Sequence, residues 1–521
     1  MSEKHFDVVV LGRSLGSMAA AALLARRDFR VLVLGQGSRP ATYQFRDMTL
    51  RRRPFTLLSA TSPAFKRILA ELAQSQVFRR HMQPLDPMVS VLMPGRRFDL
   101  PPDLELFQRE IDREFPEVRR VVDDLYTDLA RVNAAADAAF ERDLCWPPGT
   151  FWEKRDALSA ASNVPYLRPG ETRVLMGDFP PNHSYPHMVL HTATFASHLA
   201  PAPRPLHPFA VARLHGAWSR GLFGVVGGED DVVDFLCGRI TALGGVVQLD
   251  ERAVGLNVAQ RGDHELVLDG QLSSVGASFI ITDEPGESLA HLSQGQGIVR
   301  SAQRDWPLVG QRAGRFSVSL VVHNEGLPES LGAESFIFPR MPGAPPDPLS
   351  PTIHLQRVDR LEPEATPSDK TLLVAEILLP SPGNLPLADA RQITVSTVLA
   401  QFPFLDRHLL LADSTCDGLP VWLYDKGKRT VADRLEAKGS ATVAETMPVM
   451  LGLDPPGFLG IGGEPLRGPI ARTFLVGKSV LPALGQEGEL LAAWGVARII
   501  TRTDKRRERM RRDMWSRIEF G

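Results

Sequence analysis

Cysteine is scarce in this chain: Cys145, Cys237 and Cys416 are the only three among 521 residues. Three cysteines without metal-type spacing exclude a disulfide framework and a cysteine-built zinc site, and they suit a reducing cytosol. Net charge is equally small. Lys and Arg total 59 against 61 Asp and Glu, giving −2, so no overall field recruits nucleic acid. Long apolar runs are missing too, since none reaches the roughly 18 residues of a membrane-spanning helix. The apolar stretch Met18 to Ala25 does not read as a secretory signal, because Glu3 and Asp7 precede it and it follows a strand ending in glycine. These absences predict a cytoplasmic protein, soluble or at most peripheral to a membrane. The chain is too long for one simple core. Its 42 prolines fall mostly in connections such as 201–208 and 341–348.

Residues 7–35 carry the strongest signal. A short apolar run, Asp7-Val-Val-Val-Leu-Gly12, leads into an Ala/Leu-rich segment ending near Ala25, and Arg30-Val-Leu-Val-Leu-Gly35 closes the unit. This is strand, tight turn, helix, strand, the outline of a dinucleotide-binding crossover. The glycine pattern G-x-G-x-x-G reads Gly12-x-Ser14-x-x-Ser17, with Leu15 and Gly16 between the serines. Only the first glycine is in register. The acid that would hold a ribose hydroxyl after the second strand is Gly35.

Two further blocks follow the same logic. Gly227-Gly228 precedes an amphipathic helix with Val232, Val233, Leu236 and Ile240 on one side, then strands at 246–249, 252–258 and 277–282. Near the C-terminus, 473–477 reads as a strand, 478–485 as a loop and 489–501 as a helix. In the middle phrase, 94–101 leads into a helix at 104–115. Residues 56–220 are mainly helical by pattern, clearest at 65–78 and 105–132, whereas 311–380 read as strands.

Taken in this order, the blocks resemble the phytoene-desaturase branch of the FAD-dependent amine oxidase superfamily, over nearly the whole chain. The resemblance implies an α/β protein. Its Rossmann-like FAD-type domain would be assembled from 1–55, 221–300 and 450–501, with an inserted α+β substrate-type domain from 56–220 and 301–449. It implies an FAD-dependent, desaturase- or dehydrogenase-like oxidoreductase acting on an apolar, lipid- or carotenoid-like substrate. Carried over by position, the FAD contacts would be Gly12, Ser14, Leu15, Gly16, Ser17, Gly35, Val254 (backbone to adenine), Gly477 and Lys478. Four of these depart from the family pattern: Ser14, Ser17, Gly35 and Lys478, the last standing where the family has an acid. The alternative is a cofactor-free member of the fold, a possible pseudoenzyme acting as a protein- or lipid-binding scaffold, as the Rab GDP-dissociation inhibitors do on this fold. No catalytic residue emerges, since redox chemistry of this type belongs to the cofactor.

Three other features have a bland and a sharp reading. His187 and His191 share a helix face at metal-ligand spacing, with His183 and His198 nearby, yet no acid completes a set, and packing histidines are expected rather than a metal site. Arg51, Arg52 and Arg53 read as an ordinary exposed loop, or else as a grip on phosphate. The basic segment 502–521 reads as a solvated helix end, or else as a peripheral contact with anionic membrane through Trp515, Ile518 and Phe520.

Overall fold

The computed structural model describes residues 4–171, 173–201, 205–259, 263–270, 273–359, 369–438 and 444–503; the basic segment beyond Thr503 lies outside them. The strand before Gly12 runs Lys4–Leu11, with Val8 to Leu11 fully buried. It pairs in parallel with Val31–Leu34 on one side and with Ser274–Thr282 on the other. Val246–Gln248 adds outside Val31–Leu34, and Thr473–Leu475 adds outside Ser274–Thr282, both parallel. All three separated blocks therefore meet on one sheet, which an antiparallel pair, Ala253–Asn257 and His264–Leu268, extends. A parallel sheet covered on both faces needs unbroken Val/Ile/Leu runs rather than alternation. That is the composition of residues 8–11 and 31–34.

The crossover helix, Leu15–Arg26, is buried at every position from Gly16 to Ala25. Its alanines let two other helices, Gly228–Ala242 and Gly485–Thr503, pack closely along it. At Gly16 an added Cβ would lie 3.1 Å from the Glu489 carbonyl oxygen of the second of these helices and 2.4 Å from the Val476 carbonyl oxygen before it.

A second, ten-stranded sheet carries the inserted segments. Its longest strand, Leu308–His323, pairs antiparallel with Lys370–Pro380, Leu409–Asp413 and Val449–Asp454. Phe316, Val318, Leu320 and Val322 share a core with Ala390, Val395 and Val398 of the helix Leu387–Gln401. Ser317 and Ser319 are buried on the opposite face, and the Ser319 hydroxyl donates to the Arg51 carbonyl at 2.6 Å.

The helical readings of 65–78 and 105–132 need correction. The first is two helices, Pro63–Glu71 and Ser75–Arg79, separated at Ala73, which adopts φ 56°. The second divides into Leu104–Glu114 and Arg119–Phe140, because Pro116 cannot continue the hydrogen-bond ladder of the first helix. Within the segment read as mainly helical, Val89–Met93 and Arg96–Leu100 form a hairpin about Gly95 and join the large sheet's edge. No helix among the described residues is long and apolar enough to cross a membrane.

Candidate functional site

The first turn has the geometry the sequence implies. Gly12 adopts φ +118°, and its N–H donates to the Leu34 carbonyl at 2.8 Å. Ser14 is the N-cap of the following helix, its side chain accepting from the Ser17 N–H at 3.2 Å. Such a helix start is an anion site, because unpaired N–H groups and the helix dipole converge there. In this chain an anion already occupies it. The Asp283 carboxylate accepts the Ser14 N–H at 2.8 Å, and the Ser14 and Ser17 hydroxyls also act on it. A Cβ on Gly12 would lie 2.0 Å from an Asp283 carboxylate oxygen, so the glycine makes room for this carboxylate. Burial pushes the Asp283 carboxyl above its usual range, against the opposing pull of the Ser14 N–H and the two hydroxyls; Glu489 nearby pushes it further up.

At the other end of the crevice, Gly35 lies so close to the next strand that a Cβ would sit 1.9 Å from the Leu249 carbonyl oxygen. Beside it, the Gln36 amide donates to the Ala253 carbonyl at 2.8 Å and accepts the Ala253 N–H at 3.0 Å. That backbone edge adjoins Val254, the residue assigned to adenine, which is 49% exposed. The peptide edge next to Val254 is thus satisfied by a side chain of the chain itself.

In the third block, Gly477 touches the same aspartate: an added Cβ would lie 1.7 Å from the Asp283 carbonyl oxygen. Lys478, which follows in this turn, is half-buried. Burial lowers its pKa, and Glu489, Arg53, Arg315 and Glu229 are close enough to act on its charge. The surrounding ions are paired among themselves. Arg53 grips Glu229 bidentately, with both contacts at 2.7 Å, and His198 meets Glu489 at 2.8 Å. Arg13 binds Asp230 at 2.8 Å, while Asp230 also accepts from the Ala41 and Thr42 backbone. Leu15 is half-buried against the main core.

One expectation is overturned here. Arg51 and Arg52 are buried and Arg53 half-buried, not an exposed loop. Each has an internal partner: Arg51 donates to the Val226 carbonyl, Arg52 to Glu445 and Arg53 to Glu229. The four histidines do not converge on one point: His187 lies against Gly343, near enough to His191 for their charges to interact. His183 caps the helix Ser184–Ala196 and meets Glu117, His191 lies edge-on to Phe338, and His198 serves Glu489. No group of three or more His, Cys, Asp or Glu among the described residues is placed to hold a metal ion.

FAD in the pose this fold uses would put its pyrophosphate against the Ser14 N–H. The residues do not fit it. Asp283 takes that hydrogen bond and brings a carboxylate to where a second anion would stand, Gly35 offers no acid to a ribose, and Gln36 closes the adjacent peptide edge. Asp283 and Gln36 are the residues that sequence reasoning missed. One signal pointed to the first: ligands of open parallel sheets sit beyond the carboxyl ends of the strands, and Asp283 directly follows the strand ending at Thr282.

Residues 10–72 match the family model of the NAD(P)-binding Rossmann-like domain. Among solved structures the chain is similar to an oxidoreductase from Methanosarcina mazei, at 14% identity over 94% of this chain and 99% of that one, with a TM-score of 0.53. It is also similar to cyclohexylamine oxidase from Brevibacterium oxydans IH-35A, at 13% identity, 95% and 98% coverage and TM-score 0.48. The flavin-dependent monooxygenase PieE, solved with FAD and substrate, matches at 10% identity, 94% and 56% coverage and TM-score 0.43. No curated protein matches the sequence. The chain has a mixed α/β architecture with a Rossmann-like domain, and shares its fold with an oxidoreductase.

Proposed function

We propose that this protein is a cofactor-free member of the flavin-oxidoreductase fold that acts as a protein- or lipid-binding scaffold. The observation that carries the reading is the Asp283 carboxylate on the Ser14 N–H at 2.8 Å. The helix start already spends its Ser14 N–H on Asp283, its Gly16 N–H on Glu489 and its Ser17 N–H on the Ser14 hydroxyl, and a second anion beside a buried carboxylate meets like-charge repulsion in a medium that screens it poorly. Farther along the crevice Gly35 offers no acid to a ribose, and Gln36 hydrogen-bonds both backbone groups of Ala253 beside Val254. The flavin content of the purified protein tests this. A colourless preparation that takes up no added FAD is the expected result; stoichiometric bound flavin overturns it.

The second reading is an FAD-dependent oxidoreductase of the phytoene-dehydrogenase type, acting on an apolar, lipid- or carotenoid-like substrate. The preserved three-block sheet and the Gly12 turn favour it. It requires Asp283 to leave the helix start, and bound FAD in the isolated protein is the result that would establish it.

A further inference from the structure

Helix Phe151–Ala161 is inverted with respect to ordinary amphipathicity. The residues it buries are alanines, Ala157, Ala160 and Ala161, while its large apolar side chains face outward. Phe151 is 74% exposed, Trp152 62% and Leu158 38%. Single exposed apolar residues are unremarkable, but two adjacent aromatics on the first turn of a capped helix form a fixed protrusion. The cap is a full capping box: Thr150 accepts the Glu153 N–H, and the Glu153 carboxylate accepts the Thr150 N–H. The two rings meet edge to face at 5.5 Å.

Charge at this protrusion is of one predominant sign. The Arg155 guanidinium lies over the Trp152 ring, 4.6 Å from its centroid. Lys154 is exposed and makes no ion pair with a described residue. Of the helix's two acids, Glu153 is turned inward onto Arg467 at 2.9 Å, and Asp156 lies beside Arg155 at 3.5 Å. A Trp with its polar N–H edge beside an apolar Phe, set among Lys and Arg, is the chemistry of the membrane–water interface. There the rings enter the headgroup layer while the cations meet anionic lipid. A protein partner would be served by the same aromatics, but it gives no reason for an unpaired lysine and a ring-stacked arginine beside them.

We propose that Phe151 and Trp152, flanked by Lys154 and Arg155, form an anchor that docks the protein on an anionic lipid surface. This anchor does not depend on whether flavin is bound, nor on the basic segment beyond Thr503.

The test is co-sedimentation of the full chain with phosphatidylcholine vesicles, with and without added phosphatidylglycerol. Wild-type protein is expected to partition onto the anionic vesicles. Phe151→Ser with Trp152→Ser should lower that partition about tenfold, the size expected for removing two interfacial aromatics. Lys154→Glu with Arg155→Glu should abolish the preference for anionic over neutral lipid. Trp152→Phe should keep binding but lose the emission quenched by brominated lipid. All four side chains are exposed, and unchanged melting temperatures confirm that folding is intact. Absence of binding to anionic vesicles overturns the proposal, as does wild-type partition in both double variants.

Discussion

The carboxylate of Asp283 and the backbone N–H of Ser14 are 2.8 Å apart, although 269 residues separate them in sequence. This one contact joins the second block of the sheet to the first helix at the point where a dinucleotide would be held. Its consequences can be measured, as can those of the packing around it.

Removing the carboxylate and the side chain facing it should reopen the helix start. Asp283→Gly with Ser14→Gly is expected to raise FAD or ADP affinity above the wild-type level in a fluorescence or calorimetric titration. Losing the serine cap to glycine costs only a few tenths of a kcal/mol, so the variant should fold. No gain would place the block at Gln36 and Gly35 instead.

Restoring the missing acid should fail for a steric reason. Gly35→Glu puts a Cβ 1.9 Å from the Leu249 carbonyl oxygen, and the backbone oxygen of a paired strand cannot give way. Destabilisation of more than about 2 kcal/mol is expected in urea unfolding, within the range of overpacked cores, with no gain in FAD affinity. A stable, FAD-binding Gly35→Glu protein would show that this crevice opens.

Asp283 also predicts a pH dependence. Its folded pKa lies above the ordinary value, chiefly through burial. As pH rises from about 4, where free Asp ionises, the unfolded chain gives up this proton first, and the folded state loses stability relative to it. Asp283→Asn keeps an acceptor for the Ser14 N–H without the charge. Its melting temperature should exceed that of wild type at pH 7, with the difference vanishing near pH 3, where neither side chain is charged.

His215 acts in the opposite direction. It is buried, bonded to the Tyr126 hydroxyl at 3.0 Å, and burial holds its pKa down to about 4. Its neutral form belongs to the folded state, so stability is lost as pH falls from about 6.5 toward 4, by about 3 kcal/mol at full effect. His215→Gln should flatten the dependence of the urea midpoint over that window. An unchanged slope would mean that other groups set the acid limit.

Buried ions also tie the end of the crossover helix to the helix Pro63–Glu71. Arg27 and Glu71 are both completely buried and meet at 2.6 and 3.0 Å. Glu71→Ala leaves the guanidinium buried with only the Thr501 hydroxyl at 3.1 Å. The expected loss is about 3–5 kcal/mol in chemical unfolding. A loss below about 1 kcal/mol would mean that water reaches Arg27.

Much of the fold was legible because its signals are local. Runs such as 8–11 and 31–34 are apolar at every position, as only a strand covered on both faces requires, and the glycine between strand and helix marks the turn. The breaks at Ala73 and Pro116 were less legible: the apolar spacing runs through both, and only the backbone path shows that the helix stops. The hairpin Val89–Leu100 was hidden by helical neighbours. At the site, the replaced residues Ser14, Ser17, Gly35 and Lys478 were visible as departures. What stands at the lost contacts was not, because Asp283 lies just past a segment read only as a short buried strand.

Sequence alone determined the strand, glycine turn and helix of the first crossover, since strand runs, turn glycine and helix periodicity are each encoded within about ten residues; that three distant blocks would share one sheet was implied by the resemblance of their order to a known family. Tertiary structure alone decided that the turn's anion site is filled from within and that the arginines at 51–53 are internal. Those outcomes depend on which side chains meet when segments more than a hundred residues apart are brought together. Such encounters are fixed by the packing of sheets and helices against one another, and no local pattern records them.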